Sequence, residues 1–561
     1  MRKSSGLFVL LSALTAPAAI SQVSINAPAD LAGKITPYLR GNNSAQGSKK
    51  LAGEILATEG YFSPSYELLD AEDEDGRGSL KIDPGPRTLI NRVDLAVDGP
   101  IDPKIRQALI DDWRLPVGQP FRQADWNSAK QQLLSDLLAV EYASARLLDS
   151  QAAIDLEKHQ AALSAHYDTG PRYRFGPLQI DGLTRYSPEL IARYNHSVLP
   201  GEPYQAESLT RLVSTLQASP YFASVQAELD LVTARVADDG TAVAPVHLRV
   251  RERPAHRAAF GAGFSSNTGA RVEANYKTPD LFGQAWALDS GLRLEQKRQT
   301  LYGDVFLPPD ARQRRHSIGA MSESSNIEKL KIDRYALGVQ SVQQRGSVEQ
   351  RLSLNWQHER RTPEGAEAVS SRALVPNVTW TWRQVDHLLD PRAGNVLQLS
   401  LGGGAKAALS DQNFLRLHGR WQHYQPVGQR DTLALRAELG RTLADSRLRI
   451  PQDYLFRTGG TGSVRGYGYQ SLGIKEGEAT VGGRYLAVGS VEYTHWLDNA
   501  WGIAAFVDAG DAVDALREAK LAVGYGLGVR WRSPAGPIAA DLAYGERERQ
   551  LQLHFSLAIP F

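Results

Sequence analysis

The sequence predicts a multidomain chain in which three small α+β modules precede a transmembrane antiparallel β-barrel of about 16 strands. Three observations predict it: an export signal at the N-terminus, a repeated unit in the first half, and alternation of apolar and polar residues in the second half. At 561 residues the chain is also too long for one ordinary domain.

The N-terminus has the pattern of a secretory signal peptide. Arg2 and Lys3 precede a short apolar run from Gly6 to Ala16, and the small residues that follow fit a cleavage site at Ser21. This predicts a signal peptide over residues 1–21. No later segment has the roughly 18 consecutive apolar residues of a spanning helix, so membrane residence would require a closed barrel.

Composition and motifs argue against several classes of function. The formal net charge is +1, so the bulk charge gives no indication of nucleic-acid binding. The chain has no cysteine, which excludes disulfides and thiolate metal sites. Neither G-x-S-x-G nor H-E-x-x-H occurs, and the histidines lack metal-ligand spacing. We therefore expect no catalysis, no metal and no cofactor.

A repeat of about 85 residues organises the first half of the chain. Asp98-Gly99 is followed by Pro120-Phe121, and Asp181-Gly182 is followed by Pro203-Tyr204 at the same spacing. The lead-ins DPGPR and DTGPR repeat as well. A unit of this size is too long for a solenoid repeat, which predicts small tandem domains.

The clearest copy predicts the element order β-α-α-β-β. A strand over 174–183 leads to a helix whose N-cap is Ser187, with Pro188 in its first turn. A second helix begins near Gln205 with a periodic apolar face, and two strands follow. Leu51 to Phe62, with the residues from Ser63 onward, gives an earlier and weaker copy. The predicted boundaries are 22–86, 87–171 and 172–254 for the modules and 255–561 for the barrel.

Strict alternation identifies the barrel strands. In the last strand the apolar residues share one parity and the polar residues mostly take the other, as in a strand with one face to lipid and one to a lumen. A soluble β-sandwich alternates in the same way, but the number of strands, the aromatic terminus and the export signal favour the membrane barrel. The apolar parity comprises Leu551, Leu553, Phe555, Leu557, Ile559 and Phe561.

The glycine-rich tract from Phe456 to Gly473 carries one arginine, Arg465, between glycines and tyrosines. Parity places Glu492 and Asp508 inside the lumen on neighbouring strands, where two carboxylates would repel each other. A guanidinium can bridge both, so we predict that Arg465 does.

Space for this tract comes from three inward glycines, which remove side-chain bulk from the wall: Gly524, Gly526 and Gly528. The alternative, a surface loop that binds phosphate, is disfavoured because the tract lacks the Gly-Lys-Ser/Thr ending of a nucleotide loop.

The motifs resemble those of the outer-membrane assembly superfamily that includes BamA, TamA and the two-partner secretion transporters. The resemblance rests on GSVRGY, on FVDAG at Phe506 to Gly510, and on the aromatic C-terminus. It implies that the first motif folds into the lumen and that its arginine contacts acidic groups on the wall. The motif residues are Gly462, Val464, Arg465, Gly466 and Tyr467.

The N-terminal modules resemble POTRA domains, and three of them favour the TamA branch. This implies assembly of autotransporters and other β-barrel clients in the outer membrane, in contact with its lipid. It also implies a TamB-like partner anchored in the inner membrane. The serious alternative is a two-partner secretion transporter that exports a soluble client. Such proteins usually have two modules and an N-terminal plug helix, which is not evident in VSINAP after Ser21.

A weak seam is expected where the first and last barrel strands meet. Glycines weaken a strand interior and proline donates no N–H, so this junction should be poorly hydrogen-bonded. The resemblance implies lateral opening at this place, with strand edges offered to a client. The predicted seam residues are Gly261, Gly263, Phe264, Leu557, Pro560 and Phe561.

Overall fold

A computed structural model describes residues 22–25, 29–39, 45–69, 79–533 and 536–557. The predicted signal peptide over 1–21 and the seam residues Pro560 and Phe561 lie outside these residues. Within them, none of the helices combines the length and the apolar character needed to cross a membrane. The chain forms two compact units, one of 1–181, 197–213 and 226–249, and the other of 182–196, 214–225 and 250–561.

Three small sheets, each with two helices, precede the large sheet. Their strand orders are β1-β3-β2, β4-β6-β5 and β7-β10-β8, and the first strand of each runs parallel to the central one. The order β-α-α-β-β therefore occurs three times. The elements are β1 Gln22–Ile25, α1 Ala29–Leu39, α2 Ala45–Thr58, β2 Ser65–Leu69, β3 Ser79–Asp83, β4 Leu89–Asp98, α3 Pro103–Asp111, α4 Gln123–Ala139, β5 Arg146–Asp155, β6 Gln160–Asp168, β7 Arg172–Asp181, α5 Pro188–Tyr194, α6 Ala206–Gln217, β8 Phe222–Leu229, β9 Arg235–Val236 and β10 Thr241–Glu252.

The repeated sequence signals have the same structural role in the second and third copies. The aromatic residues Phe121 and Tyr204 are both buried, and each donates its backbone N–H to the carbonyl of a residue near the start of its copy, at 2.9 Å and 3.0 Å. Strand β7 begins and ends two residues earlier than predicted: it already pairs with β10 at Arg172, and it ends at Asp181 because Gly182 follows it with a left-handed φ of 92°. The repeat in the sequence therefore marks equivalent backbone hydrogen bonds in the two copies.

Sixteen consecutive antiparallel strands form the large sheet, and β11 and β28 stand at its two ends. Two further short strands, β22 and β23, pair in the connection between β21 and β24. The elements are β11 Arg257–Ser265, β12 Gly269–Leu281, β13 Trp286–Glu295, β14 Arg298–Phe306, β15 Arg315–Ile327, β16 Leu330–Arg345, β17 Val348–Pro363, β18 Val369–Val385, β19 Gly394–Gly404, β20 Phe414–Val427, β21 Asp431–Leu443, β22 Ile474–Glu476, β23 Ala479–Val481, β24 Tyr485–Trp496, β25 Trp501–Val513, β26 Ala522–Ser533, β27 Gly536–Gly545 and β28 Gln550–Leu557.

The alternation in sequence corresponds to the two faces of this sheet. In β26 the side chains of Tyr525, Leu527 and Val529 are exposed on the outside, whereas Gly524 and Gly528 are buried on the inside. This is the pattern of a barrel whose outer wall is apolar and whose interior is filled by polar groups. The predicted antiparallel barrel of 16 strands is confirmed.

The segment that leads into the barrel is held by one buried carboxylate. Glu252 accepts hydrogen bonds from the backbone N–H groups of Thr184 and Arg185, at 2.8 Å and 2.9 Å. Burial by itself raises the pKa of Glu252, but these bonds outweigh it and lower the pKa to about 2. Nearby, the Tyr221 hydroxyl donates to the carbonyl of Ala285 in the β12–β13 turn at 2.7 Å. The bonds of Glu252 therefore hold Thr184 and Arg185 against the segment that leads into the barrel, and the bond of Tyr221 holds residues 214–225 at one end of the barrel.

Candidate functional site

The glycine-rich tract lies in the long connection between β21 and β24 and folds against the inner wall. Gly459, Gly460 and Gly466 have φ values of 103°, 100° and 89°, a region that side chains other than glycine rarely adopt. A Cβ on Gly466 would stand 2.7 Å from the backbone nitrogen of Gly545, so the chain approaches the wall there at backbone distance. The glycines therefore permit both the turn and its close approach.

Arg465 is buried at the tip of this turn and makes several charged hydrogen bonds. Its backbone N–H, Nε and Nη2 donate to the carboxylate of Asp508 at 3.0, 2.7 and 3.0 Å. Its Nη1 donates to Glu492 at 2.6 Å and to Asp541 at 3.2 Å. The guanidinium also lies over the ring of Phe506, 3.4 Å from its centroid. The structure thus brings Arg465, Glu492 and Asp508 together.

Two members of this cluster were missed by the sequence reasoning. Arg530 donates to Glu492 at 3.0 Å and to Asp541 at 2.5 Å, so two arginines and three carboxylates form one network. The inward parity of β26 already included Arg530. The parity of β27 gave no comparable signal, because its inward positions are otherwise small or apolar and Asp541 stands alone among them.

The other residues of the motif fasten it to the wall. Val464 is fully buried in an apolar cluster with Phe456 and Val488. The Tyr467 hydroxyl donates to the carbonyl of Val523 at 2.9 Å and accepts from the backbone N–H of Arg547 at 3.0 Å. A phenylalanine could make neither bond. The tyrosine is therefore used for its hydroxyl as well as its ring.

The last strand also contacts the motif. The backbone N–H of Gly466 donates to Nε2 of His554 in β28 at 2.9 Å. By contrast, a Cβ on Gly462 would have no atom within 4 Å, so this position is open. The motif therefore contacts the wall from β24 to β28, the last strand of the sheet. Its residue Gly462 lies in open space.

The three inward glycines of β26 each leave space for a particular neighbour. A Cβ on Gly524 would lie 1.8 Å from the carbonyl oxygen of Arg465. One on Gly526 would lie 2.1 Å from the carbonyl oxygen of Leu542, and one on Gly528 would lie 1.8 Å from the carboxylate of Asp541. Gly524 therefore leaves space for the loop backbone and Gly528 for the carboxylate network, whereas Gly526 lies against the backbone of the neighbouring strand β27 and not against the loop.

Gly524→Ala should displace the loop from the wall, since the added methyl group and the Arg465 carbonyl cannot occupy the same space. Overpacking of this kind costs about 1–3 kcal/mol. Gly489→Ala is the matched control, because a Cβ there would meet no atom within 4 Å. Maleimide labelling of a cysteine placed at Gly462 in both variants measures the displacement. Faster labelling is expected only with Gly524→Ala, and equal rates would contradict the assigned role of Gly524.

The predicted seam residues lie at the two ends of the sheet. Gly261 and Gly263 in β11 face the lumen, where they pair with Glu273 and Arg271, and Phe264 is exposed on the outer face. Leu557 is the last residue of β28. The backbone N–H of Phe555 lies 3.4 Å from Oγ of Ser266, in the turn after β11, which brings the two end strands together at that point.

Comparison with known proteins agrees with this architecture. Residues 255–561 match the model of the Omp85 superfamily domain. The outer membrane protein assembly factor BamA of Nitratidesulfovibrio vulgaris is 22% identical over 518 residues, which cover 86% of this chain and 62% of that protein. The chain thus spans less than two thirds of that relative's length.

One solved structure of an outer-membrane assembly protein shows the same fold. BamA from Haemophilus ducreyi lacking POTRA domains 1-3 superposes with a TM-score of 0.68 at 16% identity, covering 83% of this chain and 99% of that one. CdiB from Acinetobacter baumannii gives a TM-score of 0.44 at 13% identity, covering 94% and 97%. Because the family match includes the entire barrel and its lumen motif, the chain belongs to the Omp85 superfamily and is an outer-membrane β-barrel protein.

Proposed function

We propose that this protein is an assembly factor of the TamA type, which promotes insertion of autotransporters and other β-barrel clients into the outer membrane. The observation that carries the proposal is the edge formed by β11. Eight of its nine residues are exposed, and it stands at one end of the sheet order. A strand edge in this position can pair with an incoming strand, since unsatisfied backbone groups favour added strands.

The ion network in the lumen also supports this proposal. Arg465 holds the glycine-rich loop against β24 to β28 by charged bonds to three strands. These bonds of Arg465 all lie at one end of the sheet, while β11 stands at the other. An opening between β28 and β11 would therefore leave the ion network intact.

The three N-terminal β-α-α-β-β copies are proposed to be POTRA modules that lie in the periplasm and receive clients. Each leaves edge strands in its small sheet, such as β4 and β5 in the second copy. An extended client can add to such an edge. The first module is proposed to bind a TamB-like partner anchored in the inner membrane.

Site-specific photocrosslinking in growing cells tests the function. A photoreactive residue is placed at Phe264 in β11 or at Leu553 in β28, both exposed on the outer face. Capture of nascent β-barrel or autotransporter chains at both positions is the expected result. The control position is Leu337, exposed on the wall of β16. Capture of a soluble exoprotein from lumen positions, with no client at the seam, would favour a two-partner secretion transporter.

A further inference from the structure

A groove on the outer wall of the barrel has no part in the proposed seam. It encloses about 630 Å³ between the outer faces of β19, β20, β21 and β24 and the connection between β25 and β26, residues 514–521. It lies at the end of the barrel opposite the start of β11. We call residues 514–521 the strap. Apolar side chains line the groove almost throughout, including Leu399, Leu417 and Leu439 from the strands and Leu516 and Leu521 from the strap.

The floor of the groove follows from the register of the sheet. One row of paired residues runs across five strands through Leu399, Gly419, Leu439, Ala487 and Asp511. Gly419 and Ala487 lack long side chains, so the wall is recessed where they stand. The recess lies between the leucines of the same row, Leu399 and Leu439, and beside the strap.

An outward-facing carboxylate holds the strap in place. Asp511 shares its face with the outer-wall residues of β25, yet it is only 8% exposed. It accepts from the backbone N–H of Lys520 at 3.0 Å and lies 3.4 Å from Nη2 of Arg547. A charge on the outer wall of a barrel is costly unless it is paired. The hydrogen bond between Asp511 and Lys520 holds the strap against the outer wall, so the strap forms one side of the groove.

Cations stand beside this apolar space. Arg441 lines the groove, and its guanidinium lies 5.5 Å from the ring centroid of Tyr485. Arg517 and Lys520 are exposed in the strap, next to the leucines that line it. An apolar groove of this volume with cations at its rim has the character of a site for an acyl chain joined to a phosphate group.

We propose that the groove binds the lipid A part of the outer-leaflet glycolipid, with an acyl chain under the strap and a phosphate at Arg441 and Arg517. The choice of lipid rests on the orientation proposed above, since modules in the periplasm place this end of the barrel in the outer leaflet. The phosphorylated, multiply acylated glycolipid is the major lipid of that leaflet. Guanidinium groups pair well with its phosphates.

Native mass spectrometry of the full chain, purified from outer membranes in detergent, tests the site. The wild-type protein should retain one lipid A molecule. Ala487→Trp fills the floor of the groove, and the double variant Arg441→Ala/Arg517→Ala removes the proposed phosphate contacts. Each should lower the retention of lipid A about tenfold, which is the effect of losing one charged hydrogen bond or a comparable amount of apolar contact. Heat-dependent migration on gels verifies that each variant retains a folded barrel.

Matched controls separate the site from a general effect on the barrel. Ala320→Trp alters another exposed, outward alanine, on β15, and Arg345→Ala removes an exposed arginine at the other end of the barrel. Both should retain lipid A like the wild type. Equal retention of lipid A in all variants would overturn the proposal. It would also be overturned if phosphatidylglycerol displaced the bound lipid A as readily as added lipid A does. The readout does not involve clients, so failure of the assembly function and failure of the lipid site are distinguishable.

Discussion

Arg465→Ala should release the glycine-rich loop from the barrel wall and lower the amount of folded protein in the membrane. The side chain of Arg465 is only 5% exposed, and its loss leaves Glu492, Asp508 and Asp541 with too few cations. Removing one partner of a buried ion pair costs about 3–5 kcal/mol, because the remaining charges stay buried and unpaired. Arg465→Lys should give an intermediate effect, because an ammonium group cannot form the paired bonds of a guanidinium.

The measurement is the maleimide labelling rate of a single cysteine at Gly462, together with the amount of protein in the membrane. The natural chain has no cysteine, so the label is specific. Arg449→Ala, an exposed arginine in the same connection, is the control. Adding Asp508→Asn to Arg465→Ala should recover part of the loss, since it removes one of the unpaired charges. Unchanged labelling and unchanged protein level in Arg465→Ala would disprove the bridging role.

A disulfide across the seam should abolish client assembly. Ser266→Cys and Phe555→Cys place two thiols where the turn after β11 and strand β28 approach each other, at 3.4 Å between Oγ of Ser266 and the backbone nitrogen of Phe555. If clients enter between β28 and β11, a covalent link there blocks the step entirely. Reduction of the disulfide should restore activity in the same sample.

The assay is insertion of a β-barrel client into liposomes that carry the purified protein. The control disulfide joins Ser317 to Gln340, which are directly opposite each other in the continuous ladder of β15 and β16. It should leave insertion unchanged, because no opening is expected there. Full insertion with the seam disulfide formed would refute lateral opening, and loss with both disulfides would show that general rigidity rather than the seam matters.

The sequence alone was sufficient for the barrel and for three of the five residues of the ion network. Alternation with a period of two is a local property of a strand, so Leu551 to Phe555 or Val523 to Trp531 can be assigned to faces without knowledge of their neighbours. The parity of Glu492 and Asp508 placed both carboxylates in the lumen, and the glycines around Arg465 indicated a tight turn. In these cases the information is contained in a few consecutive residues.

The tertiary structure decided what lies beyond the range of a single strand. Asp541 meets Arg465 across 76 positions of the chain, and only the register of β26 with β27 places it beside Gly528. Asp511 is a polar residue on the outward, apolar face of β25, where alternation alone would predict an apolar residue. Its position is explained only by the strap that folds over it. Local patterns fix the face of each side chain, whereas strand register and loop packing, which sum many distant contacts, fix its partners.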